Sequence, residues 1–161
     1  MSKQSNNIFL ICLLIVISLA LISVFTIEYV LGHEPCKLCV YQRIPYIIAI
    51  LLIIKILFVK TYEKIILFLL FIIFLISLFL AFYHFGIEQG FFNESFVCEA
   101  TNLEKNLTKE DLLKQLKQNN ISCKEVNVRI LGMSLATINT IFSLVLSVIF
   151  FKLYKNYEKD Q

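Results

Sequence analysis

Charge is scarce in this chain: Lys, Arg, Asp and Glu make up 17% of its 161 residues, tryptophan is absent, and hydrophobic residues reach 58%. Soluble domains carry about 25% charge, so the composition excludes an ordinary water-surrounded fold and indicates a membrane protein. A formal net charge of +3, scattered along the chain, is too small to suggest nucleic acid as a partner. Internal repeats and low-complexity tracts are missing. The first apolar run lacks a small-residue A-x-A end and exceeds the ~7–15 residue core of a secretory signal. Although Lys3 precedes it, it reads as a retained span.

Long apolar runs are what the chain has in place of charge. They cover about 8–27, 44–59, 65–85 and 133–151, and the second lengthens to 38–59 if it starts near Leu38. Each approaches the ~20 residues a helix needs to cross about 30 Å of hydrocarbon. The expectation is an all-α membrane protein: a four-helix transmembrane bundle forming a single membrane domain over 1–161, with outer loops at about 28–37 and 86–132. Within the second loop Thr108 is a cap, Asp111 is its N3 residue, and Leu107 and Leu112 stand at staple positions. Leu112, Leu113 and Leu116 oppose Lys109, Lys114 and Lys117. This pattern predicts a short amphipathic helix, lying on the membrane surface or packed on other loop residues. Gly32, Gly86, Gly90 and Gly132 all stand at outer helix ends, where backbone bends are expected.

Five cysteines divide unevenly over this plan. Cys12, inside the first span, reads as a small buried hydrophobe. Cys36, Cys39, Cys98 and Cys123 fall in the first and third connections, which share one side of a four-span protein. Disulfides persist on the oxidising side of a bacterial cytoplasmic membrane, so this face is expected to be periplasmic and both termini cytosolic. Lysine density agrees, because the seven lysines of the termini and the 55–64 turn crowd into short tracts, whereas most of the opposite basic residues spread through a long acidic loop. Four cysteines allow three pairings, and spacing favours Cys36 with Cys39. A zinc site would want a second close-spaced pair, which Cys98 and Cys123 do not form, so no metal is expected. A membrane scaffold with purely structural loop disulfides is the other alternative, and it leaves a CxxC at a helix end unexplained.

Cys36-Lys37-Leu38-Cys39 carries the chemistry. Pro35 bars the preceding residues from helix and sets the pair at a helix N-terminus, where the dipole favours thiolate. Arg43 follows Cys39 at i+4 on the same helical face. It reads either as a snorkelling arginine or as a cation that stabilises the Cys39 thiolate or the oxygen of a bound acceptor. His84 and Glu88, one turn apart at the end of the third span, stand near the same level. On residue type alone His84 reads as an interfacial side chain with a polar tip. Tyr41, Tyr46, Tyr83 and Phe85 are expected in an aromatic belt.

The string Cys36-Lys-Leu-Cys39-Val-Tyr41-Gln-Arg43, followed by a third span ending Tyr83-His84-Phe-Gly86-Ile-Glu88-Gln-Gly90, resembles the bacterial DsbB/BdbC family of disulfide bond formation proteins. The similarity covers nearly the whole chain and implies a thiol:quinone oxidoreductase of the bacterial inner membrane. Its partner would be a DsbA-like thioredoxin-fold periplasmic protein, and its acceptor a quinone, ubiquinone or menaquinone, dissolved in the membrane lipid. The resemblance implies that Cys98 is attacked by the partner's thiolate and that Cys123 is its disulfide mate. Cys123 would then exchange with Cys36, releasing Cys39 as a thiolate towards the quinone. Arg43 would hold the quinone and support charge transfer from Cys39, with His84 close to the ring. Pro45, just after the Arg43-Ile44 step, departs from the family pattern, and a kink there would shift Arg43. A redox enzyme of the vitamin K epoxide reductase type shares the bundle and the CxxC, but the motifs stand here in the reverse order.

Overall fold

A computed structural model describes residues 3–33, 35–60, 62–93, 123, 129–130 and 132–159. In hydrocarbon every backbone N–H and C=O must find its partner within the segment, which for long apolar runs leaves the helix as the solution. The runs accordingly form α1 (Lys3–Tyr29), α2 (Lys37–Tyr41), α3 (Ile44–Phe58), α4 (Glu63–Glu88) and α5 (Leu135–Lys159). Four stretches are long and apolar enough to cross a membrane: Asn7–Tyr29, Lys37–Phe58, Glu63–Glu88 and Leu135–Tyr157. The all-α four-helix membrane bundle is therefore what the chain forms. One small addition precedes α5, where β1 (Arg129–Ile130) pairs antiparallel with β2 (Met133–Ser134). Gly132 closes that turn at φ +82°, a conformation open to glycine without steric cost. The expected loop helix over 107–117 lies outside the described residues.

The second span is not one continuous helix. Pro45 has no N–H to return to the preceding turn, and the chain turns at Gln42 and Arg43 before α3 begins. Both residues keep right-handed helical backbone angles, so the break is a tightening of the helix. The N–H of Arg43 donates to Val40 O at 3.1 Å, one residue short of the α-helical spacing. Arg43 thus stays one turn beyond Cys39, and Gln42 faces the bundle interior, where it is buried.

The core joins all four spans, and α4 with α5 makes the most extensive pairing. Phe74 of α4 stacks on Phe150 of α5 with ring centroids 5.4 Å apart. Tyr46 meets Phe74 edge-on at 5.7 Å and lies parallel to Phe142 at 6.1 Å. Tyr46 therefore belongs to the core and not to an interfacial belt, because its hydroxyl finds partners on α5. Tyr41 is exposed, as a belt residue would be.

Helix α1 buries Leu10, Leu13 and Ile17, one face at i, i+3 and i+7. Cys12 stands off that face and is an exposed free thiol, not a buried hydrophobe. No residue of α1 beyond Ile17 is fully buried among those described.

Helix α4 ends in a glycine-terminated motif in which Phe91 N–H donates to Gly86 O at 2.8 Å and Gly90 N–H to Ile87 O at 3.0 Å. Gly90 takes φ +77°, as this ending requires. Gly86, in contrast, is no bend. It lies within the helix, and a Cβ there would overlap the Phe92 ring.

Candidate active site

Cys36 caps α2: its backbone is extended at φ −68° and ψ 162°, and its sulfur accepts a hydrogen bond from Cys39 N–H at 3.2 Å. The extended conformation is the one an N-cap residue takes, and the cap places both sulfurs at the positive end of a helix. Cys36 and Cys39 are joined in a disulfide with Cα atoms 5.2 Å apart.

The two sulfurs have different surroundings. Cys36 is buried and Cys39 only partly so. Cys36 packs with Leu38, Ile87 and Cys123, and Cys39 and Tyr83 border that cluster. Cys123 is almost fully enclosed and is itself disulfide-bonded. The long second loop thus returns one of its cysteines to the CxxC pair. Cys98 lies outside the described residues.

His84, on α4, reaches the same spot. Its Nε2 is 3.6 Å from Cys36 Sγ and 3.8 Å from Glu88 Oε1. The ring also hydrogen-bonds to the Cys123 backbone. Glu88 accepts from the Ser134 hydroxyl, which ties the end of α4 to β2. His84 is a neighbour of the disulfide, then, more than an interfacial side chain.

Arg43 answers neither of its simple readings alone. Its guanidinium pairs with Glu28 of α1 and sits 5.0 Å from the centre of the Phe25 ring. Its Nε is buried and donates to nothing among the described residues. A buried donor left open costs about 1–3 kcal/mol, so this atom has room for a further acceptor oxygen. The partly exposed Cys39 lies one helical turn away.

Cys36, Cys39 and His84 bring their ligand atoms within 4.8 Å of one another. Metal binding needs thiolates, and in the disulfide neither sulfur is one.

Sequence reasoning missed Glu28, Gln42, Asn139 and Ser134. Glu28 left a signal, as the one carboxylate near the end of the first apolar run. Asn139, Ser143 and Ser147 left another, a polar stripe at i, i+4 and i+8 in the last span.

A bundle that holds an oxidised CxxC at one end, with a second disulfide-bonded cysteine packed against it, defines a membrane protein of thiol-disulfide chemistry. The family described as disulfide bond formation protein DsbB matches residues 5–153, and the chain belongs to that family. Membership makes it a membrane protein of disulfide bond formation and implies disulfide oxidoreductase activity. An uncharacterized protein of Rickettsia prowazekii (strain Madrid E) is similar to it, 28% identical over 160 residues, which is 98% of this chain and 92% of the relative.

Proposed function

We propose that the protein is a thiol:quinone oxidoreductase of the bacterial inner membrane. It reoxidises a DsbA-like thioredoxin-fold protein in the periplasm and delivers the electrons to a membrane quinone. The observation that carries this reading is the packing of Cys123 against the Cys36–Cys39 disulfide, which puts a sulfur of the long loop beside the pair it would exchange with.

In this scheme the partner's thiolate attacks Cys98, forming a mixed disulfide, and Cys123 leaves with the electron pair of the broken Cys98–Cys123 bond. The partner's second thiolate then attacks its own sulfur in the mixed disulfide, the partner leaves oxidised, and Cys98 takes the electron pair as a thiolate. Cys123 then attacks Cys36. A Cys36–Cys123 bond forms, the Cys36–Cys39 bond breaks, and Cys39 takes the pair. A quinone bound beside Cys39 supplies an acceptor for two electrons and two protons. The residues present fit such a group: Arg43 Nε is a buried donor without a partner among the described residues, and Cys39 is the more accessible sulfur of its pair. Arg43 would orient the acceptor's oxygen and balance the charge on Cys39, and the apolar run around it keeps water out. The energetics agree, because oxidases of the DsbA class sit near about −120 mV and only a stronger oxidant can regenerate them, each ~30 mV for two electrons being worth ~1.4 kcal/mol.

The test is turnover of the purified protein with a reduced thioredoxin-fold oxidase and short-chain ubiquinone or menaquinone. Cys36→Ser, Cys39→Ser, Cys98→Ser and Cys123→Ser should each abolish quinone-dependent oxidation of the partner while the variants still insert. Sustained turnover by Cys36→Ser would overturn the relay. If the wild-type protein oxidised no dithiol with either quinone and formed no mixed disulfide, the loop cysteines would be structural staples.

A further inference from the structure

A row of uncharged polar side chains runs through the bundle from its centre to Cys36. Ser77 and Ser143 stand 3.1 Å apart, and Ser143 is 3.2 Å from the Tyr46 hydroxyl. Tyr46 donates to Asn139 Oδ1, and Asn139 Nδ2 donates to Gln42 Oε1 at 2.7 Å. Gln42 Nε2 lies 3.1 Å from His84 Nδ1, and His84 Nε2 lies 3.6 Å from Cys36 Sγ. Residues from four segments, α3, α4, α5 and the α2–α3 turn, take part. None of them is needed to close the backbone of its own helix.

The direction of this row is determined. Gln42 Nε2 also faces Leu80 O at 3.4 Å, and a carbonyl oxygen can only accept. The amide nitrogen of Gln42 must therefore point towards α4, which turns its oxygen towards Asn139. Asn139 must then meet Gln42 with its own nitrogen and Tyr46 with its oxygen. An amide N–H only donates, so His84 Nδ1 must be the bare, accepting nitrogen. The ring proton is left on Nε2, whose neighbours, Cys36 Sγ and Glu88 Oε1, are both acceptors, and the Cys123 backbone is a further acceptor at the ring.

We propose that Gln42 and Asn139 are positioning residues that hold His84 as its Nε2–H tautomer, so that the ring donates to Cys36 Sγ and stabilises Cys36 as a thiolate. The step this serves rests on the relay proposed above. After transfer, the loop pair is restored when the Cys98 thiolate attacks Cys123: a Cys98–Cys123 bond forms, the Cys36–Cys123 bond breaks, and the electron pair goes to Cys36. A donor on that sulfur makes it a better leaving group. The groups that face the His84 ring are Cys36, Gln42, Glu88 and the Cys123 backbone.

A network that merely satisfied buried polar groups would fix the same tautomer but leave the reactivity of Cys36 unchanged, so the ring and the sulfur are both read. The chain has two histidines, so His33→Asn leaves His84 as the single ring for 15N NMR of the full-length protein in detergent. The wild-type ring should show the Nε2–H pattern. Asn139→Asp keeps the shape but replaces the donor by an acceptor. Gln42 should then turn its amide over, present oxygen to Nδ1 and shift the ring to Nδ1–H. In a background with Cys36 as the only cysteine, iodoacetamide should modify wild-type Cys36 about tenfold faster at neutral pH than the Asn139→Asp variant, the size expected for losing one hydrogen bond to a charged sulfur. An Nδ1–H pattern in the wild-type ring overturns the proposal, and that measurement needs no variant to fold. Unchanged spectra and unchanged alkylation in a folded Asn139→Asp protein overturn it as well. Neither readout involves quinone or partner, so loss of the proposed activity and loss of this inference are separate results.

Discussion

Arg43 is held to α1 by a carboxylate and by a ring, and each contact answers a different need. The Glu28 pair neutralises a charge that hydrocarbon disfavours, and the Phe25 face covers the flat side of the guanidinium. Glu28 stands in the last turn of the first span, Asn7–Tyr29, and the pair keeps side-chain exposures of 11% and 20%, so at that end of the span water screens it in part and a fully buried ion pair is the wrong comparison. Glu28→Gln keeps the shape and removes the charge. It should lower stability by about 2 kcal/mol, the scale of one hydrogen bond to a charged group, read from thermal unfolding in detergent. Arg43→Ala should instead raise the apparent KM for quinone before it affects exchange with the partner, and an unchanged KM would return Arg43 to a structural role. The CxxC and Arg43 were legible in the sequence because their spacing is local. Glu28 and Asn139 were harder to read, since a lone carboxylate or amide acquires meaning only from a partner on another span.

At the scale of elements, chain terminators decide where the chemistry sits. Pro35 and the Cys36 cap start α2, Pro45 ends its regular hydrogen bonding, and Gln42 is thereby turned inward. The sequence announced a helix start at the CxxC and a kink at the second proline, but not that the kink would turn Gln42 inward and leave Arg43 one turn from Cys39. With no N–H at Pro45, the turn at Gln42 and Arg43 tightens, so the second span is broken there. Gly90 and Gly86 make a similar contrast. Both stand near the end of α4, yet Gly90 needs its left-handed angle and has nothing within 4 Å of a Cβ, whereas Gly86 needs room for Phe92. Gly90→Ala should therefore cost about 1 kcal/mol through backbone strain alone. Gly86→Ala should instead push the Phe92 ring off Tyr83, on which it stacks at 5.6 Å. Because Tyr83 borders the Cys36 cluster, the rate at which dithiothreitol reduces the Cys36–Cys39 disulfide should change in Gly86→Ala and stay constant in Gly90→Ala.

For the molecule as a whole, lipid on the outside changes what holds the helices together. Hydrocarbon is as apolar as leucine, so burying Phe74 or Phe150 gains little by transfer, and the close ring stacking and the interhelical polar contacts carry the association. The number of spans could be read from hydropathy alone, because that signal is summed over about 20 residues, while the pairing of α4 with α5 depends on shape and could not. The proposed orientation is supported by the lysines. Those at the 60–64 turn and in the last turns of α5 stand at the end of the bundle opposite the CxxC, and basic residues near span ends favour the cytoplasm. In a cysteine-free background expressed in a Gram-negative bacterium, single cysteines introduced as Phe91→Cys and Lys60→Cys report on the two ends, since both residues are exposed. A membrane-impermeant maleimide added to spheroplasts should label the first, and the second only after the membrane is broken. The reverse pattern would put the disulfides in a reducing compartment, where the Cys36–Cys39 bond would not persist and no dithiol oxidase could be regenerated there.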